Sequence, residues 1–491
     1  MSASSQPVVV IGAGPAGLTA AFDLTRRGVP TVVFDQDDQV GGLAKTVVYK
    51  GFRFDIGGHR FFTKVSSVRN LWHELLGDDL LRRPRLSRIY YGGRFYDYPL
   101  KAANVLVNLG PLTSAAVLAS YARACASPIR PERSFEDWIC NRFGRRLFEM
   151  FFKGYTEKVW GMPCSAIGAE WAAQRIKGLS LWTAALSMLG GNGNGDIRTL
   201  VHEFEYPRLG PGMMWEACRH RIERAGGRVT LGSRIVGVQH DADRVTSVVV
   251  EQSGERRRQP ASHVISTMPV RHLVKAMSPV APRDVQAAAD RLKYRDFLTV
   301  ALIVNQASVF PDNWIYVHDP SVRVGRIQNF KNWSPEMVPD PGLTCLGLEY
   351  FCSQGDELWS MDDADLVALA TREVETIGLV RPGRVIDATI MRVHKAYPIY
   401  DDGHVTALAR ARAWLARLAN LQLVGRNGMH KYNNQDHSML TALLAVENVC
   451  GARHDLWTIN ADEAYHEEAD VRALARSQPL VPQRIPSRER G

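Results

Sequence analysis

The sequence predicts an α/β protein: an open parallel sheet begins at the N-terminus, a helical segment is inserted, and a second, antiparallel sheet follows. Three observations predict it. Residues 7–12 form an apolar run ending in glycine, 15–27 carry helical periodicity, and 30–35 form a second apolar run, which makes a β-α-β unit. Separate apolar runs at 297–305, 314–317 and 343–351 read as strands of another sheet. A strand, glycine and helix return near the end, at LQLVG and 437–450. At 491 residues the chain is too long for one small core, and two or three lobes are expected.

The remaining elements follow in chain order. Residues 102–122 carry no charge and are long enough to span a bilayer, but Asn104, Asn108, Gly110 and Pro111 polarise and break them. Two core or interface helices are expected there, with a shallow membrane-contacting helix as the lesser reading. Residues 134–160 read as helical, with Ser134 as N-cap and acids in the first turn. The tract GGNGNGD at 190–196 has no packing side chains and reads as a mobile loop. Residues 228–238 and 244–250 read as a hairpin, and HVISTMP at 263–269 as a buried strand stopped by proline. A helix at 363–377, a short strand and a helix at 405–419 complete the order. The expected units are a discontinuous nucleotide-binding part of 1–98, 228–275 and 420–455, a helical insertion of 99–200, a β-sheet substrate part of 201–227 and 276–419, and a C-terminal extension of 456–491.

Composition narrows the class. Sixty basic against 51 acidic residues leave a net charge of +9, spread through the chain. That suits an anionic small ligand or weak attraction to anionic membrane. No Lys/Arg run is interleaved with aromatics and no zinc-finger spacing occurs, so nucleic acid is not expected as a partner. The seven cysteines form no CxxC pair, which argues against a disulfide framework or a metal site and for reduced thiols in the cytoplasm. The start, MSASSQPVVVIG, has no signal-peptide pattern. Nothing in the sequence distinguishes a monomer from a homo-oligomer.

Gly12-Ala13-Gly14-Pro15-Ala16-Gly17 joins the first strand to the first helix. Gly12 permits the tight turn, Gly14 lets backbone approach a pyrophosphate, and Gly17 lets the helix pack closely on the sheet. Pro15 and Ala16 open a helix whose N–H groups face the phosphates. Asp35 closes the second strand, where a carboxylate can accept from a ribose hydroxyl. This is a Rossmann-type dinucleotide site. Gly41-Gly42-Leu43-Ala44 and Asp55-Ile56-Gly57-Gly58-His59 follow, so backbone can pass close to a longer, flatter ligand at Gly42, Leu43, Gly58 and His59. FAD fits this pattern better than NAD. Gly425-Arg426 follows the strand LQLV, a place that resembles the one where FAD enzymes of this fold bring a second loop against the flavin phosphates, and Asn434, Gln435 and Ser438 add polar groups at the start of the closing helix.

Arginines and aromatics recur through the middle and end of the chain: Trp160 after Lys158, Arg175, Tyr316, Arg326 with the NWSP run, Tyr397, and Arg426 with Tyr432. Arginine grips phosphate bidentately, and tyrosine stacks while donating a hydrogen bond.

With GGHRFF, SFEDWI…KVWGMP, FEYPRLGPGMMW, STMPV, WIY…RIQNFKNWSP, AYP and GRNGMHKYNNQDHS, the chain from about 7 to 450 resembles the UDP-galactopyranose mutase family, within the amine oxidase and protoporphyrinogen oxidase-like FAD superfamily. The resemblance implies FAD, active when reduced, with NADPH or NADH as a candidate reductant. It implies a pyranose–furanose ring contraction of a nucleotide sugar such as UDP-galactopyranose, through attack of the reduced flavin N5 on the anomeric carbon. His59 and Gly58 would lie against the flavin, and Arg175 and Arg326 would grip the diphosphate. Tyr316, Tyr397 and Tyr432 would bond the phosphates, Trp160 would line the sugar pocket, and Arg426 would serve the flavin and diphosphate region. Val236 is a further implied cofactor contact. Lys101 stands where eukaryotic members carry an amide and would face the nucleotide, and the 190–196 loop would be a flap. An FAD oxidase or desaturase acting on an apolar or lipid-linked substrate is the alternative, and a non-catalytic FAD-folded protein the third. No metal is expected.

Overall fold

The computed structural model describes residues 6–98, 100, 102–169, 199–200, 203–401, 403–460 and 468–469. The first sheet is all parallel. Its strands run in the order Arg228–Thr230, Thr31–Phe34, Val8–Ile11, His263–Ser266 and Leu421–Leu423. Val8–Ile11 and Thr31–Phe34 are buried at every position, as strands covered on both faces must be. Helices Pro15–Arg26, Gly212–Arg224 and Gln435–Val449 pack together on this sheet through Leu18, Trp215 and Met439. The elements expected at 7–12, 15–27, 30–35, 263–269 and LQLVG are thus present, and the chain's end returns beside its beginning.

The run expected as one strand over 228–238 divides. Arg228–Thr230 stays in the parallel sheet, while Arg234–His240 pairs antiparallel with Val245–Gln252 in a separate sheet that includes Glu255–Pro260. Gly232, at φ +60°, supplies the left-handed turn, and the Ser233 amide donates to the carbonyl of Asp35.

The second large sheet has seven strands, in the order Val385–Pro398, Tyr294–Val304, Thr344–Cys352, Arg326–Asn329, Trp314–Val317, Ser87–Tyr91 and Arg94–Asp97. Every neighbouring pair is antiparallel except Trp314–Val317 with Ser87–Tyr91. The short strand expected after residue 377 is instead 14 residues long. As an edge strand it is half-exposed along most of its length, which hid its apolar alternation.

Four stretches pack differently from the expected boundaries. Ser87–Asp97 joins the second sheet rather than the nucleotide-binding part. Gly212–Arg224, and the helices Arg283–Arg291 and His404–Leu415, bury their apolar sides in the first core through Ile222, Val285 and Ala411. The helical insertion begins with Ala102–Ala126, bent at Gly110 (φ 75°, ψ 169°) just before Pro111, as the breakers predicted. The helix expected over 134–160 starts with a capping box between Ser134 and Asp137 and stops at Phe143. Gly144, at φ +81°, passes so close to the bent helix that a Cβ on it would lie 2.8 Å from the Tyr121 amide nitrogen. Helical structure then resumes from Arg145 to Trp160 through a π-helical turn. The 190–196 loop lies outside the described residues. Among the described residues no helix is long and apolar enough to cross a membrane, and the seven cysteines are unpaired.

One buried acid couples the fold to pH. Asp55 ends the strand Phe52–Asp55, accepts from the Tyr206 hydroxyl and from Thr46 Oγ1 (2.9 Å), and is 1% exposed. Burial pushes its pKa up to about 7, against the two hydrogen bonds that favour the anion. The folded state therefore binds a proton that the unfolded chain has released, and stability falls as pH rises from about 4 to about 7, by at most roughly 4 kcal/mol. Asp55→Asn keeps one acceptor oxygen, offers an amide N–H to the other hydroxyl, and should flatten that fall. Urea midpoints at pH 5 and pH 8 test this; the same loss in the variant would show that another group is responsible.

Candidate active site

The glycine loop is built by close approach. A Cβ on Gly17 would lie 1.8 Å from the carbonyl oxygen of Gly12, which itself sits at φ +102°. Pro15 occupies the first helical turn, and the N-cap Gly14 makes no side-chain cap, so the helix N-terminus presents its N–H groups to a ligand. The second glycine pair leans on the first: the Gly41 amide donates to Ala13 O (2.9 Å), and a Cβ on Gly42 would lie 3.1 Å from Gly14 Cα. Leu43 packs beside Ile56. Gly425 closes from the other side, where a Cβ would lie 3.0 Å from that of Ala16.

Asp35 carries a task the motif alone did not reveal. Its carboxylate accepts from the Ala13 amide (2.5 Å) and the Asp37 amide (2.9 Å), tying the loop down. Burial raises its pKa despite these bonds. Val236 is the extra residue where the pairing of Arg234–His240 shifts, a bulge that re-aims its backbone.

At the far end of the cradle, His59 follows Gly57 (φ +85°) and Gly58. A Cβ on Gly58 would lie 2.8 Å from Gln328 Nε2, so a larger residue there would have to displace the Gln328 side chain from its bond to Glu349. His59 is half-buried, and its Nδ1 is buried with no hydrogen-bond partner within the chain. Burial first, then the cations of Arg426 and Arg326, hold its pKa down at about 3. The imidazole is therefore neutral. Resonances of 15N-labelled His59 should stay those of the neutral ring at pH 5, and protonation with a midpoint near 6.5 would overturn its placement between two guanidiniums.

Arg326 begins its strand and points its Nε and Nη2 at Glu349 Oε2, at 2.6 and 2.5 Å. Glu349 is fully buried, and its Oε1 accepts from Gln328 Nε2 (2.8 Å). The guanidinium is thus fixed from behind, and neither contact uses Nη1. Arg426 donates to Ala396 O and Asn433 O, both at 3.0 Å, and lies over the rings of Tyr432 and Tyr397. Those two rings stack on each other with centroids 5.6 Å apart. Tyr316 meets Tyr98 and Tyr155 edge-on. Trp160, 6% exposed, neighbours Tyr400, whose hydroxyl accepts from the Tyr432 amide.

The structure thus brings His59, Arg326, Arg426, Tyr316, Tyr397, Tyr432 and Trp160 into one region at the end of the cradle. Arg175 and Lys101 lie outside the described residues. Asn434 also serves the fold: its side-chain oxygen accepts from the His437 backbone N–H in a capping box that opens the closing helix. The neighbouring Gln435 Oε1 is buried without a partner, and Ser438 is buried one turn on. Lys158 is tied to structure, donating to the carbonyls of Val317, Asp319 and Val324.

Sequence reading missed four members. Tyr155 is half-buried, stacks on His318 and lies close enough to Arg326 to interact with its charge. Glu349 carried a usable signal, a lone acid inside the apolar strand Thr344–Cys352. Arg60 and Arg85 lie over the ring of Trp314, and Arg85 also over Tyr98. Their positions depend on the second sheet and had no local signal.

These features fit a flavin dinucleotide. Two glycine loops leave room only for backbone beside the helix N-terminus, and orphaned buried atoms of His59 and Gln435 lie where the cradle continues. Among the described residues no cluster suits a metal ion.

Comparison with known proteins agrees with that fit. The family described as flavin containing amine oxidoreductase matches residues 15–449. A probable UDP-galactopyranose mutase of Klebsiella pneumoniae is 24% identical over 224 residues, 44% of this chain and 53% of that protein. The lycopene-forming phytoene desaturase of Pantoea ananas is 25% identical over 272 residues, 50% of this chain and 53% of the relative. Both matches span about half of the relatives' length. Among solved structures, a reduced UDP-galactopyranose mutase superposes with a TM-score of 0.81 over 94% of this chain and 97% of its own, at 22% identity, a likeness of fold.

Proposed function

The chain belongs to the flavin containing amine oxidoreductase family, and from that premise we propose that this FAD-dependent enzyme is a pyranose–furanose mutase acting on a nucleotide sugar of the UDP-galactopyranose kind. The observation that carries the reading is the charge of the pocket. Two guanidiniums, Arg326 and Arg426, face a neutral His59 against one buried carboxylate, Glu349, among four tyrosine rings. A diphosphate uses such cations. An apolar substrate would make no use of the Arg326 edge that Glu349 leaves open, nor of the Arg426 charge, which here meets carbonyls and rings.

When bound, reduced FAD supplies a nucleophilic nitrogen for the anomeric carbon. The chain's own groups do the rest. The N-terminus of Pro15–Arg26 and the glycine backbones hold the cofactor's pyrophosphate. Neutral His59 offers the flavin a hydrogen-bond partner without a competing charge. Arg326, aimed by Glu349, holds the diphosphate as it leaves the sugar and keeps it for return, and Arg426 adds a second positive charge. Tyr316, Tyr397 and Tyr432 hydrogen-bond the phosphate oxygens, while Trp160 and Tyr155 exclude water from the sugar.

The desaturase or oxidase reading is supported by the alignment with phytoene desaturase, which is as extensive as that with the mutase. One experiment separates the two. Dithionite-reduced protein is mixed with UDP- and dTDP-sugars, the sugar is followed by anomeric NMR, and oxygen uptake is measured. Ring contraction without oxygen consumption is expected. Oxygen-dependent turnover of an apolar substrate, with the sugars unchanged, would overturn the proposal.

A further inference from the structure

The bent helix Ala102–Ala126 has one side that no other described element covers. Its inner side enters the helical core at Val117 beside Trp138 and Phe143. Its outer side leaves Val107, Leu112 and Leu118 exposed at 79%, 86% and 55%. Beyond the bend, at 3.6 residues per turn, Leu112, Ala115, Ala116, Ala119 and Arg123 fall on one face, and all five are exposed. Residues 102–122 contain no charged side chain.

The charges gather at the two ends of this strip. Arg94 is exposed and donates to the carbonyl of Asn108, next to Val107. Arg123 is exposed one turn beyond Ala119, and Arg146 lies alongside, its amide donating to Ser120 Oγ. From Arg94 to Arg146 there are eight basic and four acidic residues, and two of the acids, Glu132 and Glu136, are engaged by Arg142 and Arg145.

We propose that this face docks on the surface of an anionic lipid bilayer, with the helix lying among the headgroups. Aliphatic side chains between arginines suit the boundary of headgroup and acyl chain, and they oppose the charge of an acidic leaflet. The helix is too polar at Asn104 and Asn108, and too bent at Gly110, to cross. The proposal stands apart from the mutase reading, since none of these residues belongs to the site.

The test is co-sedimentation of the full-length FAD-loaded protein with phosphatidylglycerol–phosphatidylcholine vesicles and with phosphatidylcholine vesicles, at low and high salt. Binding to the anionic vesicles that weakens with salt is expected, together with a loss of at least about tenfold in the Leu112→Asp/Leu118→Asp variant and in Arg123→Glu. Those side chains are exposed, and unchanged flavin content and melting temperature will confirm folding. Absence of binding by the wild-type protein would overturn the proposal, as would equal binding by the folded variants. A dimer that the Leu112→Asp/Leu118→Asp variant dissolves, in a protein that ignores vesicles, would assign the face to a second copy instead.

Discussion

Gly17→Ala is expected to yield a protein without bound FAD, colourless after purification and unable to recover flavin on incubation. The added Cβ would sit 1.8 Å from the Gly12 carbonyl oxygen, far inside contact distance, and the obstacle is backbone rather than a side chain that can turn away. Relief requires the helix Pro15–Arg26 to lift from the sheet. Its N-terminus then no longer faces the pyrophosphate, and Ala16 moves relative to Gly425. Because the helix also packs on Gly212–Arg224 and Gln435–Val449, the cost is shared by the first core, and overpacking of this kind destabilises by about 1–3 kcal/mol or more. The flavin-to-protein absorbance ratio after reconstitution measures the outcome. A stoichiometric yellow Gly17→Ala protein would show that the cofactor is held elsewhere.

Arg326 combines a ligand role with a structural one, and a double substitution separates them. Arg326→Met alone leaves Glu349 buried and charged with Gln328 Nε2 as its one remaining side-chain donor among the described residues, a loss of about 3–5 kcal/mol in stability. Adding Glu349→Gln removes the uncompensated charge and should restore most of that loss. Nucleoside diphosphate affinity should fall by about two orders of magnitude in both variants, since losing a charge-assisted bond to a phosphate is worth about 2–3 kcal/mol. FAD content should be unchanged in both. Calorimetric titration of UDP into the reduced protein, beside urea unfolding, reads the two effects separately. Wild-type UDP affinity in the stable double variant would remove Arg326 from the diphosphate site.

The parts of the site that were legible from the sequence are those where chemistry is local. Gly12, Gly14 and Gly17 are spaced by the geometry of one turn and one helix, and Asp35 ends the next strand. Gly425 follows a strand that was recognisable by its apolar run. In each case a few consecutive residues must adopt one backbone path, so spacing carries the information. The break at Gly144 was hidden, because it answers a helix that crosses from more than twenty residues earlier. The long edge strand Val385–Pro398 was hidden because half-exposure erases alternation.

The sequence by itself determined that this chain holds a dinucleotide on a parallel sheet and that a second glycine loop returns to it. Those features follow from backbone sterics over short spans. Only the tertiary structure decided what surrounds the far end of the cradle. There His59, Glu349, Arg326 and Arg426 come from four segments of the chain, brought together by the seven-stranded sheet and the returning loop. A charge's meaning depends on what lies within a few ångströms in a medium of low polarity. Burial between two cations makes His59 neutral, and pairing makes Arg326 fixed.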